Sequence, residues 1–251
     1  MINEKIFLGF PLDFKDICKV YPPTVNDMCG DEKFEYCQTL FMITQEELED
    51  AYVNENVPTI PTPFQYLLMN VHQDGAARVN VLHGFQKLLR EPVTIVPELE
   101  VIIIGKSEEE LDPDKDLDNP RVIDAKNYFD FQNVVRTVLG AQPVEPPVED
   151  EDPRIRRYKA KIRASERILA RKKQKKGSGT NFGTLIAAIC CMGIGLTPLN
   201  IGEISYACVP WLIGMSQQKE EYDIDIRALL AGADKKKVKP KYWIKDLNEE
   251  I

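Results

Sequence analysis

The sequence predicts a predominantly helical α+β protein. An N-terminal helical domain carries a small antiparallel β-sheet, and a C-terminal all-α module follows, built from a basic helix and an apolar helical hairpin. Three observations carry this expectation. Apolar residues recur at helical spacing behind cap signals along most of the first 142 residues. Two short runs of β-branched residues interrupt them near residue 100. Beyond residue 143 the composition changes abruptly to acid and proline, then to base, then to a charge-free apolar stretch.

Lys5-Ile-Phe-Leu-Gly-Phe-Pro-Leu-Asp-Phe14 mixes aromatic and branched residues with Gly9 and Pro11, which reads as a short strand and turn. Pro22-Pro23 punctuate the chain before a helix expected over 31–43, with Phe34, Cys37, Leu40 and Phe41 on one face. Thr44-Gln-Glu-Glu47 is a capping box that opens a short acidic helix through Asn54. Thr62-Pro-Phe-Gln65 repeats the device with proline in the first helical turn. A further helix is expected from Asp74 to Arg90, with Val79, Leu82, Phe85, Leu88 and Leu89 turned inward. Val93-Thr-Ile-Val96 and Val101-Ile-Ile-Ile104 then read as a β-hairpin, and 121–124 as an added strand. Asn127 caps a last helix bearing Phe131, Val134, Val135 and Val138 and closed by Gly140.

The clearest boundary lies at 143–153, where four prolines and five acids fall in eleven residues and predict an extended, solvated linker. It divides an N-terminal domain at 1–142 from a C-terminal module at 154–251. The formal charge of −8 conceals a polarity along the chain. Twelve of the 32 Lys and Arg residues, but only one of the 40 acids, lie between Arg154 and Lys176. The remainder carries 20 basic and 39 acidic side chains. Arg154, Arg156, Arg157, Lys159, Lys161, Arg163, Arg167 and Arg171 form the basic helix, with a thin stripe of Ile155, Tyr158, Ile162 and Leu169.

Phe182 to Leu196 contains no charge and is apolar all round, so a helix there must be covered. Gly183, Ala187, Cys191 and Gly195 recur every fourth residue as a seam of small side chains that would admit a close helix. After Thr197-Pro198, Ile201, Ile204, Cys208, Trp211 and Met215 make one apolar stripe, which is expected to pack on the seam, with a kink or a break near Val209 caused by Pro210. A separate short helix is expected at 222–230. Leu185, Ile189, Met192, Leu196, Ile204, Trp211 and Met215 are the apolar residues this hairpin offers to a partner. Fifteen residues fall short of the roughly 17–25 that span lipid, so a membrane span is disfavoured.

Catalytic chemistry has little to work with. His72 and His83 lie on separate predicted helices, with no nucleophile or orienting acid at motif spacing. The Gly177–Gly183 segment lacks the lysine and the preceding strand of a phosphate loop. The acids at 108–118 lack the central glycine and terminal glutamate of a calcium loop. No catalytic residue, metal ligand or cofactor is therefore expected. The six cysteines show no C-x-x-C pair; Cys190 and Cys191 read as small buried hydrophobes, and a reducing compartment is implied. No basic n-region followed by an apolar run opens the chain, so no signal peptide is expected.

The segments GTLIAAICCMGIGLTPLNIGEISYA (183–207) and DIDIRALLAGADKKKVKPKYWIKDL (223–247) follow an acidic proline linker and a basic helix. In this order they resemble the C-terminal half of tail assembly chaperones encoded by long-tailed phages of Gram-positive bacteria. MINEKIFLGFPLDFKDICKVYPPTV (1–25) and IPTPFQYLL (60–68) resemble the opening half of similar phage proteins. The resemblance implies a non-catalytic protein in the cytoplasm of the host bacterial cell. It would bind the tape measure protein and help tail tube subunits gather around it, with self-association possible. Many such chaperones are made as a short form and a frameshifted long form; here one chain reads through 143–153. Two other classes compete with this reading. One is a nucleic-acid-binding module using the basic helix, against which no aromatic platform interleaves the charges. The other is a membrane-associated protein using the apolar hairpin at 182–217.

Overall fold

In the computed structural model, residues 4–52, 59–111, 121–146, 155, 158–163, 165–166, 182–234 and 238–241 are described. The fold is mostly helical, with two small antiparallel sheets in the N-terminal part and helices in the C-terminal part. Helices α1 (Glu4–Phe7), α2 (Val25–Met28), α3 (Glu32–Met42), α4 (Gln45–Tyr52), α5 (Pro63–Gln73), α6 (Gly75–Leu89) and α7 (Tyr128–Val138) precede the linker. Strands β1 (Leu12–Phe14) and β2 (Cys18–Val20) form one hairpin. Strands β3 (Val93–Val96), β4 (Val101–Ile104) and β5 (Val122–Asp124) form a second sheet in that order, with Ile95 opposite Ile102 and Ile102 opposite Ile123. After the linker come helical residues 158–163 of the basic segment, then α8 (Phe182–Cys191) and α9 (Cys208–Leu230).

Local signals account for the boundaries of most elements. Thr24 and Thr62 make capping boxes with Asp27 and Gln65. Thr44 and Glu47 exchange the same pair of bonds ahead of α4, at 3.0 and 3.2 Å. Asp31 and Asp74 accept from Phe34 N and Ala76 N at the starts of α3 and α6. Gly140, at φ 81°, ends the α7 region in the left-handed conformation that a side chain disfavours. Asn127 occupies the position before α7 but does not cap it; its amide instead bonds to Asp124 N and Val122 O, fastening β5 to the helix start.

The N-terminal core forms where α3 crosses α6, with α5, α7 and both sheets closing around the crossing. Phe41, Phe85, Phe131 and Phe14 run through it as a chain of ring contacts, at centroid distances of 4.8, 6.0 and 5.4 Å. Gly84 permits the crossing: a Cβ placed there would stand 2.7 Å from the Cβ of Cys37. The C-terminal carbonyls of α3, which have no partner within the helix, are satisfied from α7. Gln132 Nε2 donates to Phe41 O at 3.0 Å and Ile43 O at 2.6 Å, and Arg136 Nη1 to Met42 O.

Several elements differ from the sequence expectation. Within 5–14, where a short strand and turn were expected, the strand is confined to Leu12–Phe14 and residues 4–7 are helical, while 18–20 supply a second strand that was not expected. Val79 is 55% exposed because it lies on the outer side of α6, while Val81, Phe85, Leu88 and Leu89 take the core. The break expected near Val209 falls just ahead of it: the 3-10 turn at 201–203 is not continued, and the α-helix begins at Cys208 and runs to Leu230, so 222–230 is not a separate helix. Pro210 falls in the first turn of α9, where backbone N–H groups have no intrahelical acceptor to lose. At the start of the expected linker, Val144 exchanges two hydrogen bonds with the Asn133 side chain, at 2.8 and 3.0 Å.

Candidate functional site

The charge-free stretch that predicted a fifteen-residue helix makes a ten-residue one. Helix α8 ends at Cys191, and Gly193 and Gly195 follow at φ 69° and 83°, turning the chain into a loop that a helix cannot continue through. Asn200 then folds that loop onto itself, its Oδ1 accepting from Thr197 N at 2.7 Å and its Nδ2 donating to Gly195 O at 3.1 Å. A single 3-10 turn, Ile201–Glu203, leads into α9.

One face of α8 is covered. Phe182, Ile186, Ile189 and Cys190 stand at helical spacing and meet Ile201, Val209, Leu212, Ile213 and Val25. Ile189 is fully buried there. The covering therefore comes partly from α9 and partly from the N-terminal region. Val25 N donates to Ile204 O and Tyr206 N to Pro23 O, both at 2.9 Å, and Thr24 forms an antiparallel bridge with Ser205. Pro22-Pro23 hold this edge extended, and Pro23 offers only its carbonyl, which Tyr206 takes. Two more points join the parts: the Trp211 ring meets Phe7 edge-on at 5.1 Å, and a Cβ on Gly140 would stand 3.1 Å from the Cα of Ala207.

The seam of small residues does not make the hairpin contact. Gly183, Ala187, Cys191 and Gly195 are all exposed, because the bulkier Phe182–Ile186–Ile189 side of α8 buries more apolar surface against α9. Cys191 is accordingly exposed, and Cys190 half-buried, where both were expected inside. Among the residues expected to face a partner, Ile189, Met192, Leu196 and Ile204 belong to the internal cluster. Trp211 rests on Phe7, and Leu185 and Met215 are half-buried. What reaches solvent is a different set: Ile194 at 46% exposure and Leu199 at 96%, beyond the two turn glycines. Leu199 was legible only through its position between Pro198 and Asn200, a turn in which a large apolar side chain has nothing to pack against.

The basic helix is held from behind. Arg163 lays its guanidinium across α4, with Nε 3.1 Å from Asp50, Nη2 3.2 Å from Glu49 and Nη1 3.5 Å from Glu46. Burial works against the charged guanidinium, but its bond to Asp50 and the charges of Asp50, Glu46 and Glu49 outweigh it and raise the pKa. Ala160 is buried beside this contact. Three acids of α4 thus take up the charge of Arg163. Lys159 and Lys161 are exposed; Arg154, Arg156, Arg157, Arg167 and Arg171 lie outside the described residues.

The histidines are apart. His83 Nε2 lies 2.7 Å from Asp31 Oδ2, which Lys87 Nζ also reaches at 2.7 Å. Burial alone would raise the Asp31 carboxyl; bonds from His83, Lys87 and the Phe34 amide hold it well below its usual range. His72 lies 3.7 Å from Glu98 at a shallow cleft of about 700 Å3, lined also by Tyr52, Leu68, Met69 and Glu100. Burial pushes the Cys18 and Cys37 thiols up to about 12 and raises that of Cys208, which makes poor nucleophiles of them. Among the described residues no group of His, Cys, Asp and Glu is placed to hold a metal ion. No helix among them is long and apolar enough to cross a membrane. Compared with protein-family models, curated proteins and solved structures, the chain matches none.

Proposed function

We propose that the chain is a non-catalytic tail assembly chaperone that holds the apolar helical face of a tape measure protein while tube subunits assemble. The observation that carries this reading is the outer side of the C-terminal hairpin. Residues 182–202 include no charged side chain, yet Gly183, Ala187, Cys191, Ile194, Gly195 and Leu199 of that stretch are exposed. A charge-free surface of this kind is costly in water unless something covers it. Small residues along α8 leave room for a helix to lie close, and Ile194 and Leu199 at its end supply apolar contact. The order of segments that resembles phage tail chaperones supplies the identity of that helix.

The test is co-expression with the tape measure protein of the same phage, followed by affinity purification. Ile194→Asp and Leu199→Asp leave the hairpin core intact, since neither residue is buried. Each is expected to reduce co-purification about tenfold or more, because binding would have to bury an unpaired carboxylate. Full recovery of the client with both variants would remove the α8 face from the function.

A further inference from the structure

The basic helix is docked with its amphipathic pattern reversed. Ile155, Tyr158 and Ile162 recur at i, i+3 and i+7 and so share one face, and they are 51%, 66% and 43% exposed. The opposite face is the covered one, through Ala160 and the Arg163 contact with Glu46, Glu49 and Asp50. A helix left to its own amphipathicity would turn the apolar stripe inward and leave arginine in water. Here the guanidinium fork fixes the roll angle, because rotating the stripe inward would strip the Asp50 and Glu49 carboxylates, 3% and 9% exposed, of that partner. Three large apolar side chains are thereby presented outward, with the exposed ammonium of Lys161 beside them.

We propose that this stripe is a second docking face, and that its occupant is an acidic, apolar-faced helix of a partner protein. Apolar anchors at i, i+3 and i+7 are the pattern by which one helix is read by another. Glu166 stands on the same face, but the segment from Arg154 to Lys176 sets twelve basic residues against that single acid and so selects an occupant with carboxylates at its margins. An anionic lipid surface carries the same charge but fits less well. A membrane plane would face the whole side of a molecule whose remaining residues hold 39 acids against 20 bases, whereas a helix about 10 Å wide meets only the stripe. This face is distinct from the outer side of α8 and stands whether or not that side binds a client.

The probe is a fluorescent amphipathic peptide of about 18 residues, with leucine at i, i+3, i+4, i+7 spacing and glutamate at its margins, titrated against the full chain. Its twin carries lysine in place of every glutamate. The acidic peptide is expected to bind at least about tenfold tighter than its twin, and progressively more weakly as salt rises. Tyr158→Asp with Ile162→Asp should reduce binding about tenfold or more, with the circular dichroism spectrum and urea midpoint unchanged. Lys161→Glu, at a position that buries nothing, should narrow or invert the preference between the twins. Variants Ile194→Asp and Leu199→Asp should bind the acidic peptide as the parent does. Equal affinity for the two peptides, or parent affinity in the Tyr158/Ile162 variant, overturns the proposal. Flotation with phosphatidylserine vesicles in the absence of acidic-peptide binding also overturns it and moves the stripe to a membrane.

Discussion

Replacing Arg163 with methionine retains the aliphatic stem and removes the charge that joins the basic helix to α4. The structure sets the size of the effect. The Glu46 carboxylate, 64% exposed and 3.5 Å away, contributes at most about 1 kcal/mol. Asp50 and Glu49 differ, because their side chains are almost entirely out of water at 3.1 and 3.2 Å from the guanidinium. Removing one partner from such a buried set costs about 3–5 kcal/mol. The two carboxylates can regain water if the helix lifts away, so the loss is capped by the free energy with which the helix docks. The defect should therefore appear first as local opening. Native-state hydrogen exchange would show amides 160–163 losing protection, while urea unfolding records a fall no larger than about 3–5 kcal/mol. Adding Glu49→Gln and Asp50→Asn to Arg163→Met should restore most of both, since buried amides cost less than unpaired charges. Unchanged exchange at 160–163, with unfolding free energy within about 0.5 kcal/mol of the parent, would refute the idea that this fork holds the helix.

Other outcomes follow from the same contacts. Ile189→Ala empties a fully buried position between α8, α9 and Val25, and should cost about 2–5 kcal/mol in urea unfolding. Leu199→Ala, at 96% exposure, should stay within about 0.5 kcal/mol of the parent. Gly84→Ala places a Cβ 2.7 Å from Cys37 Cβ, so the α3–α6 crossing must open, at about 1–3 kcal/mol. Its melting temperature should drop by about 2–4 °C per kcal/mol. Asp31 has a depressed carboxyl pKa, so its contribution is complete above the unfolded value of 3.8 and is lost as the pH falls below that towards the folded value. Asp31→Asn should therefore lower stability at pH 7 and flatten its decline at acid pH, measured by urea unfolding at a series of pH values.

Much of the N-terminal fold was legible because its signals are local. Thr44 and Thr62 announce helix starts through residues three places on; Val93–Val96 and Val101–Ile104 pair across a short turn; Gly140 marks a left-handed residue that few other side chains tolerate. Periodicity also placed Phe34, Cys37, Leu40 and Phe41 on the buried side of α3. Where a stretch is apolar all round, periodicity cannot choose a face. Small and large residues of 182–191 alternate around the same helix, and it took the shape of α9 and Val25 to bury the Phe182–Ile186–Ile189 side and leave Gly183 and Ala187 outside. Long-range pairing was equally hidden. Nothing near Pro23 indicates that its carbonyl meets Tyr206, and nothing near Arg163 points to the acids of α4. Charge pattern and hydrophobic period are properties of neighbours in the chain. The carboxylate that the Arg163 guanidinium reaches stands 113 residues away, and the covered side of α8 is set by Val25 together with the following helix, contacts that only the tertiary structure brings together.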